Sequence, residues 1–275
     1  MTIFHFTLCY MYVFFILFIQ KGVIMNKEQR QNEILELVLK KECCSVKELC
    51  AALYASDATI RRDLHCLEQK GLIRLLYGNI VPLMQESHDH PLAFRENQAK
   101  ATKRDLARYA VSLIPPHASV MLDSSSSALY LADYLNPDYK ITVFTNCIKT
   151  ATKLHEKNIT VFLLGGQLDS HSLVTSSVWT LENIRAFHVD YLFFSAQSLS
   201  SDGFIAGATD FGVHVRKYML RQATQSYFLC NAEKVGTHST YTLCHASEIT
   251  GVITNTDLSF LPDVKFINIS TRIHD

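Results

Sequence analysis

The 275-residue sequence lacks any excess of charge, because 26 lysines and arginines balance 26 aspartates and glutamates. A uniformly basic chain is thereby excluded, so contact with nucleic acid would depend on a local patch. The eight cysteines include no C-x-x-C motif, and no histidines stand at zinc-finger spacing from them. This absence argues against a disulfide framework and a structural zinc site. We expect reduced thiols that mostly fill the core, and no metal or cofactor.

Charged residues are also absent from the first twenty positions. This leader is long enough for a membrane helix, and it lacks the basic start and small-residue cleavage site of a signal peptide. If it is translated, it would tether the protein to the membrane. Alternatively, translation starts at Met25, because Lys21–Val23 can be encoded by a purine-rich ribosome-binding sequence just upstream of that codon. We favour the second interpretation, which makes residues 1–24 a mis-assigned start and the protein cytoplasmic.

Three short helices are predicted between Glu28 and Gly71. The first has apolar residues at helix spacing between Ile34 and Val38. The second opens with Ser45, and Glu48 three residues later completes the signature of a capping box.

The third helix follows a tight turn and opens at Ser56. Its apolar residues are spaced four and three apart: Ile60, Leu64 and Leu67. A tight turn between two such helices is typical of a helix-turn-helix. At 3.6 residues per turn, Arg61 and Arg62 point away from the apolar face, near the end of the helix that enters the major groove in this motif. Arginine suits bidentate contact with guanine, although a plain solvated face paired with Asp57 or Asp63 is the alternative.

A β-hairpin is predicted after Gly71, because apolar runs flank a turn signal at Tyr77-Gly78-Asn79. A hairpin in this place makes a winged helix-turn-helix. Arg74, Tyr77 and Gly78 are candidates for DNA contact from the wing.

The S-x-x-T-I-R-R-D-L core that begins at Ser56 resembles the N-terminal domain of DeoR-family transcriptional regulators. The resemblance implies a DNA-binding domain over residues 25–84. In the wing, the family's H-G-G is here Tyr77-Gly78-Asn79. The predicted DNA-binding residues are Ser45, Ser56, Thr59, Arg61, Arg62, Arg74, Tyr77 and Gly78.

A polar segment follows, and we interpret residues 85–98 as a linker. It contains His88-Asp89-His90, which has no further ligand nearby and therefore favours a solvated linker over a metal site. A helix is predicted from about Ala99 to Leu113.

Residues 99–275 alternate apolar strands with helical segments. Near-continuous apolar strands between helices predict a mainly parallel α/β sheet covered on both faces. Ligands of such sheets bind beyond the carboxyl ends of the strands. We therefore expect an effector-binding and oligomerisation domain with its site at that edge.

Several strand ends carry residues suited to a small anion. Hydroxyls and backbone N–H groups at a helix N-terminus suit a phosphate, although a serine-rich cap is the alternative for the Ser124–Ser127 run. A lysine after a strand can pair with an anion. The predicted effector-binding residues are Asp123, Ser124, Ser125, Ser126, Ser127, Thr145, Asn146, Gly165, Gly166 and Lys234.

These segments also resemble the DeoR-family effector domain, which is similar to the sugar-phosphate isomerase and CoA-transferase fold. The family's D-S-G-T-T matches Asp123–Ser127, and its T-N and G-G match Thr145-Asn146 and Gly165-Gly166. Its D-S-S-K-F-G matches Asn231–Gly236 and keeps Lys234. Its G-A-D-G is here Ser195-Ala196-Gln197-Ser198, which changes the pocket. The resemblance implies a phosphorylated sugar or a related metabolite as effector.

The favoured hypothesis is a transcriptional regulator, specifically a repressor of sugar or related carbon metabolism, that binds operator DNA as a dimer or tetramer. The alternatives are a sugar-phosphate isomerase fused to a DNA-binding domain, with Asp123 as base, or a membrane-tethered regulator. No second acid–base partner is evident from the sequence, so we expect no enzyme.

Overall fold

The computed structural model describes residues 25–41, 43–69, 72–76, 79–82, 92–169 and 172–271. The leader, the His88-Asp89-His90 motif and the wing tip at Tyr77-Gly78 lie outside these residues. The chain divides into two compact units, Met1–Leu83 and Met84–Asp275. None of the helices in the described part of the chain has the length and apolar character needed to cross a membrane.

The first unit is a three-helix domain with a small antiparallel sheet. Its elements are α1 (Lys27–Lys41), β1 (Cys44–Ser45), α2 (Val46–Leu53), α3 (Asp57–Gln69), β2 (Ile73–Leu76) and β3 (Asn79–Pro82). Strand β3 lies between β1 and β2, and β2 and β3 form the predicted hairpin. The core is built from one apolar face of each element: Ile34, Leu35, Val38, Leu49, Ile60, Leu64, Leu67, Ile73 and Ile80. The winged helix-turn-helix prediction is confirmed in these residues.

The capping box predicted at Ser45 is present. The Ser45 hydroxyl accepts from the backbone N–H of Glu48 at 3.2 Å, and the Glu48 carboxylate accepts from the Ser45 backbone N–H at 2.8 Å. These hydrogen bonds to Ser45 lower the pKa of Glu48 to about 2. They satisfy N–H groups that the helix would otherwise leave open, and so fix where α2 begins.

Tyr54 closes α2 in the left-handed conformation, with φ 51° and ψ 37°, and its side chain is exposed. A side chain with a Cβ is strained there, whereas glycine is not. Tyr54→Gly should therefore stabilise the first unit by about 0.5–1 kcal/mol, despite the entropy that glycine adds to the unfolded chain. Urea denaturation measures the change. Tyr54→Ala is the matched control, because it removes the ring but keeps the Cβ; an equal gain from alanine would contradict the backbone explanation.

The second unit is an α/β domain. Its helices are α4 (Leu92–Asn97), α5 (Lys100–Ser112), α6 (Ser126–Leu129), α7 (Leu131–Tyr134), α8 (Ile148–Glu156), α9 (Val178–Arg185) and α10 (Asp210–Arg221). Its strands are β4 (Ser119–Leu122), β5 (Thr142–Thr145), β6 (Thr160–Leu163), β7 (Leu168–Asp169), β8 (Val174–Thr175), β9 (Val189–Phe194), β10 (Ser198–Leu199), β11 (Phe204–Gly207), β12 (Ala223–Cys230), β13 (Tyr241–His245), β14 (Gly251–Thr254) and β15 (Phe266–Asn268).

Seven strands form one parallel sheet in the order β15-β14-β12-β9-β4-β5-β6. Neighbouring strand residues enter two different cores. Phe194 packs on one face in the cluster that includes Val213 and Met219 of α10. Phe193 packs on the other face with Leu106 and Ala110 of α5. Burial on both faces explains the continuous apolar strands, and the predicted parallel α/β fold is confirmed.

Two features differ from the sequence interpretation. The predicted linker extends too far, because α4 occupies its second half and Leu92 is buried against Leu129 and Cys147. The antiparallel sheet β10-β11-β13 and the β7–β8 pair were not predicted. Their strands have two to five residues, too few for an alternating pattern to stand out.

Candidate functional site

Helix α3 presents Arg61 and Arg62 to solvent, as its periodicity predicts. Its first turn is held by Ser56, whose hydroxyl accepts from the backbone N–H of Thr59 at 3.3 Å. The Ser56 and Thr59 hydroxyls also lie 2.9 Å apart. Both side chains therefore stand at the exposed N-terminus of the helix, where phosphate oxygens bind favourably.

The two arginines differ in their partners. Arg61 makes two contacts with the Asp57 carboxylate, at 2.5 Å and 3.3 Å, four residues earlier on the same face. Among the described residues, Arg62 has no ion pair or hydrogen bond. Arg61 thus forms the exposed ion pair with Asp57 that the sequence offered as the alternative to DNA contact. The guanidinium of Arg62 is already available to a DNA base or phosphate.

Asp63 has a structural role. It is buried, and its carboxylate accepts from Arg30 Nε at 2.5 Å and from the Gln31 side chain at 3.3 Å. This pairing joins α3 to α1 and sets the rotation of α3, so that the adjacent arginines face outward. Breaking a buried ion pair by removing one partner typically costs about 3–5 kcal/mol.

Of the three predicted wing contacts, only Arg74 lies among the described residues, and Ser45 at the start of α2 is already hydrogen-bonded. Arg74 is exposed on β2, and the backbone N–H of Leu75 donates to the Glu68 carboxylate of α3 at 3.1 Å. Tyr77 and Gly78 lie outside the described residues. The Ser45 hydroxyl is engaged with Glu48 in the capping box.

The second unit contains a cavity of about 200 Å³ at the carboxyl end of the parallel sheet. It is lined by Arg95, Gln98, Lys103, Ser125, Ser126, Ser195, Ala196, Gln197, Gly207, Ala208, Thr209, Arg216, Asn231, Glu233 and Lys234. Of the predicted effector residues, Ser125, Ser126 and Lys234 line it.

Asp123 lies behind the cavity wall and organises it. The carboxylate is 1% exposed and accepts from Arg216 Nε at 2.7 Å. It also accepts from the Ser125 hydroxyl at 2.5 Å and from the Ser195 backbone N–H at 3.3 Å. Ser125 in turn caps α6 by accepting from the backbone N–H of Ala128 at 3.1 Å. The serine-rich turn is therefore both a helix cap and part of the cavity wall. The Asp123 carboxylate is held in an ion pair with Arg216.

Two lysines carry positive charge at the cavity, although burial shields their ammonium groups from water. Lys234 donates to the Ser195 hydroxyl at 2.6 Å, and desolvation lowers the pKa of Lys234 to about 8. Lys103 is 4% exposed and donates to the backbone carbonyl of Arg95. Desolvation, with repulsion from Lys234 and Arg95, lowers the pKa of Lys103 to about 7. An anion in the cavity would offset both penalties.

Asn231 supplies an acceptor in the same cavity. Its amide nitrogen donates to the Glu233 carboxylate at 3.0 Å, whereas its Oδ1 is buried and has no hydrogen-bond partner in the part of the chain that the structure describes. An unpaired buried acceptor is costly, so a hydroxyl donor from a ligand is favoured here.

The other predicted effector residues do not line the cavity: Ser124, Ser127, Thr145, Asn146, Gly165 and Gly166. The ends of β5 and β6 are instead covered by β7 and β8. Asn146 donates to the Thr175 carbonyl at 3.1 Å, and Thr180 donates to the Gly165 carbonyl at 2.8 Å. Gly166 has φ +145°, and a Cβ there would stand 2.1 Å from the Thr180 hydroxyl. These residues contact one another and their neighbours at the edge of the sheet. Their positions do not support the predicted contact with the effector.

Sequence reasoning missed Lys103 and Arg216, although both left a signal. Lys103 occupies the buried face of α5 together with Leu106, Ala107 and Ala110, at helix spacing. Arg216 lies three residues from both Val213 and Met219, which are buried on α10. A cation on the apolar face of a helix needs a buried partner or ligand, and this criterion identifies both.

The described residues hold no group of three or more histidine, cysteine, aspartate or glutamate side chains placed to bind a metal ion.

The sequence matches two family models. Residues 98–256 match the DeoR C terminal sensor domain, and residues 30–85 match the DeoR-like helix-turn-helix domain. The chain belongs to the DeoR family. It is therefore a DNA-binding transcriptional regulator with a C-terminal sensor domain. The cavity lining lies within the residues that match this sensor domain, except for Arg95 just before them.

Relatives within the DeoR family match most of the chain. The HTH-type transcriptional regulator GolR of Listeria innocua is 29% identical over 84% of this chain and 91% of its own. The HTH-type transcriptional repressor GlcR of Bacillus subtilis is 30% identical over 90% of this chain and 94% of its own. Among solved structures, ribose 5-phosphate isomerase A of Methanocaldococcus jannaschii matches with a TM-score of 0.38 and 14% identity, over 50% of this chain and 54% of that chain.

Proposed function

We propose that this DeoR-family protein is a repressor of sugar metabolism genes that a phosphorylated sugar releases from operator DNA. The protein acts in the cytoplasm as a homo-oligomer, and the sugar phosphate binds in the sensor-domain cavity. The cationic lining of that cavity, together with the free acceptor of Asn231, is the observation that carries the effector class. We propose repression rather than activation because GlcR and the lactose phosphotransferase system repressor of Staphylococcus epidermidis are both named as repressors, whereas the L-fucose operon activator of Escherichia coli is named as an activator.

The charge of the cavity fits a phosphate monoester. Four cations line it: Arg95, Lys103, Arg216 and Lys234. Two carboxylates oppose them, Glu233 on the wall and Asp123 bonded to Arg216. Four cations less two carboxylates leave a formal surplus of two, which matches the dianion of a phosphate ester near neutral pH. Asn231 then accepts from a hydroxyl of the sugar.

Ligand occupancy reaches the DNA-binding unit through α4. Arg95 on α4 and Gln98 just after it line the cavity, and α4 is the first described element after the segment that connects the two units. The helix is anchored through Glu96, which pairs with Lys149 at 2.5 Å and whose carbonyl accepts from Tyr130 at 2.9 Å. A ligand that binds Arg95 and Lys103 changes how α4 is held in the sensor domain. It thereby favours the conformation of the protein that does not bind DNA over the conformation that does.

An isomerase would need a free base, and the structure favours regulation instead. Asp123 is the carboxylate that the sequence suggested as base, and it is buried against Arg216. Proton abstraction by Asp123 would require that pair to open.

Thermal unfolding with a panel of ligands tests the effector class. A hexose 6-phosphate and a pentose 5-phosphate are compared with the free sugars and with inorganic phosphate. A ligand at 100 times its Kd stabilises the folded state by about 2.7 kcal/mol, which is several degrees in Tm for a domain of this size. We expect at least one phosphate ester to produce that shift and its free sugar to produce none. Equal shifts from the ester and the free sugar would contradict an anion-selective cavity.

The affinity for a phosphate ester should depend on pH. Folding lowers the pKa of Lys103 to about 7 and of Lys234 to about 8, so the unfolded chain holds more protons above pH 7. The contribution of these lysines to ligand-free stability is therefore least favourable below pH 7 and improves as the pH rises toward their unfolded pKa. A dianion favours the protonated lysines, so binding should take up protons and weaken between pH 7 and pH 9. Calorimetry in buffers of different ionisation enthalpy measures this uptake; proton release on binding would contradict it.

A further inference from the structure

One stretch of the sensor domain has almost no charged residues and carries several exposed apolar side chains. Residues 159–181 contain a single charged residue, Asp169. Six large apolar side chains of this stretch are exposed, and we name them the apolar edge: Phe162 (46%), Leu163 (45%), Leu168 (49%), Leu173 (42%), Val178 (69%) and Trp179 (74%). Trp179 is the only tryptophan in the chain. Exposed apolar side chains concentrated in this way mark an interaction site.

Strand β6 is the centre of the apolar edge. It is the outermost strand of the seven-stranded sheet and pairs only with β5, so its outer backbone groups have no strand partner among the described residues. Its sequence, Thr160-Val161-Phe162-Leu163, contains no lysine, proline or other residue that usually protects an edge strand.

The hairpin formed by β7 and β8, together with α9, lies beside the end of β6. The Ser176 backbone N–H donates to the Gln167 carbonyl at 2.7 Å, and Thr180 at the start of α9 donates to the Gly165 carbonyl at 2.8 Å. Leu168 and Leu173 on the hairpin and Val178 and Trp179 on α9 are thereby held next to the edge strand.

We propose that the apolar edge is the surface through which two copies of this chain associate, with β6 of one copy antiparallel to β6 of the other. In a two-fold interface the same patch of both copies meets itself, with residue i of one copy against residue j of the other and j against i, so charge of one sign clustered in the patch would repel itself. A stretch with one charge avoids that repulsion. Each edge also supplies the backbone donors and acceptors that the other lacks.

Other occupants fit the apolar edge less well. A partner of opposite charge finds only Asp169 within the stretch, because Glu182 and Arg185, which follow it on α9, pair with each other at 2.7 Å. A lipid surface favours basic residues around an apolar face, and residues 159–181 contain none. A second copy satisfies both the apolar side chains and the unpaired strand.

This proposal gives a location to the homo-oligomer of the proposed function, and it is tested without DNA or effector. A monomeric wild-type protein would contradict both the homo-oligomer and its location at the apolar edge. An oligomer that persists after substitutions in the apolar edge would contradict only the location.

Trp179 reports on the association directly in the full-length chain. At micromolar concentration we expect its emission to be blue-shifted and poorly quenched by acrylamide, because the partner covers it. On dilution the emission should move to the red and quenching should rise as the mass measured by sedimentation falls. An emission that is red and fully quenched at every concentration would overturn the proposal.

Two substitutions test the same surface independently. Leu163→Lys with Trp179→Lys adds two positive charges to the apolar edge of each copy, and we expect repulsion between the two edges to lower the sedimenting mass at least twofold with an unchanged far-ultraviolet circular dichroism spectrum. Phe260→Lys is the control, because Phe260 is 50% exposed outside the stretch; its mass should stay that of the wild type. A double variant that folds and keeps the wild-type mass would overturn the proposal. If the double variant does not fold, the wild-type emission experiment decides.

Discussion

Replacing Arg61 and Arg62 together by alanine should lower operator affinity by at least about 100-fold. A bidentate arginine–guanine contact contributes about 10- to 100-fold in discrimination, and a phosphate contact adds salt-dependent affinity. Arg62 should account for the larger share, because it has no side-chain partner within the described ranges, whereas Arg61 must leave Asp57 to reach DNA. Fluorescence anisotropy with operator DNA at fixed salt measures the change.

The fold should be unaffected by these two substitutions, because both side chains are exposed and the buried pair of Asp63 with Arg30 is left intact. Arg108→Ala with Arg185→Ala is the matched control. Both are exposed arginines of the sensor domain, so the control makes the same change in net charge. A wild-type affinity in the Arg61, Arg62 double variant would refute the assignment of α3 as the recognition helix.

Replacing Lys103 and Lys234 together by methionine should abolish the effector response. Both lysines line the cavity, and without them two of its four cations are lost. We expect affinity for the phosphate ester to fall at least about 100-fold, since each charge-assisted contact is worth roughly tenfold or more. Affinity for DNA should remain that of the wild type, so the variant would repress without release.

The stability of this variant distinguishes a ligand-binding role from a structural role. Desolvation penalises both lysine charges in the empty cavity, so the ligand-free variant should be no less stable than the wild type. Lys100→Met with Lys265→Met removes two exposed lysines elsewhere in the domain and should leave the response intact. An effector response that survives in the Lys103, Lys234 variant would show that the site lies elsewhere.

Local patterns predicted the DNA-binding unit well. The exposure of Arg61 and Arg62 follows from helix periodicity alone, and the Ser45 cap follows from a four-residue signature. The partner of Asp63 did not follow, because Arg30 lies 33 residues earlier and only the packing of α1 on α3 brings the two together.

The sensor site was predicted in part, for a topological reason. Sequence alone places Lys234 and Thr145 at the carboxyl edge of one sheet, but strand order decides which strand ends share a cavity. The cavity lies at the central strands β4, β9 and β12, whereas β5 and β6 are peripheral and covered by the β7–β8 hairpin. The pairing of Asp123 with Arg216 joins residues 93 positions apart, which no local pattern encodes.

The most direct test of a DNA reader controlled by an anion in its sensor cavity is one anisotropy titration. Labelled DNA from upstream of the protein's own gene is titrated with the protein at fixed salt, alone and with the phosphate ester selected by thermal unfolding. We predict binding that is at least about 1,000-fold tighter than to scrambled DNA, weakened tenfold or more by the ester and unchanged by the free sugar. Equal affinity for upstream and scrambled DNA, or specific binding that the ester leaves unchanged, would contradict the account.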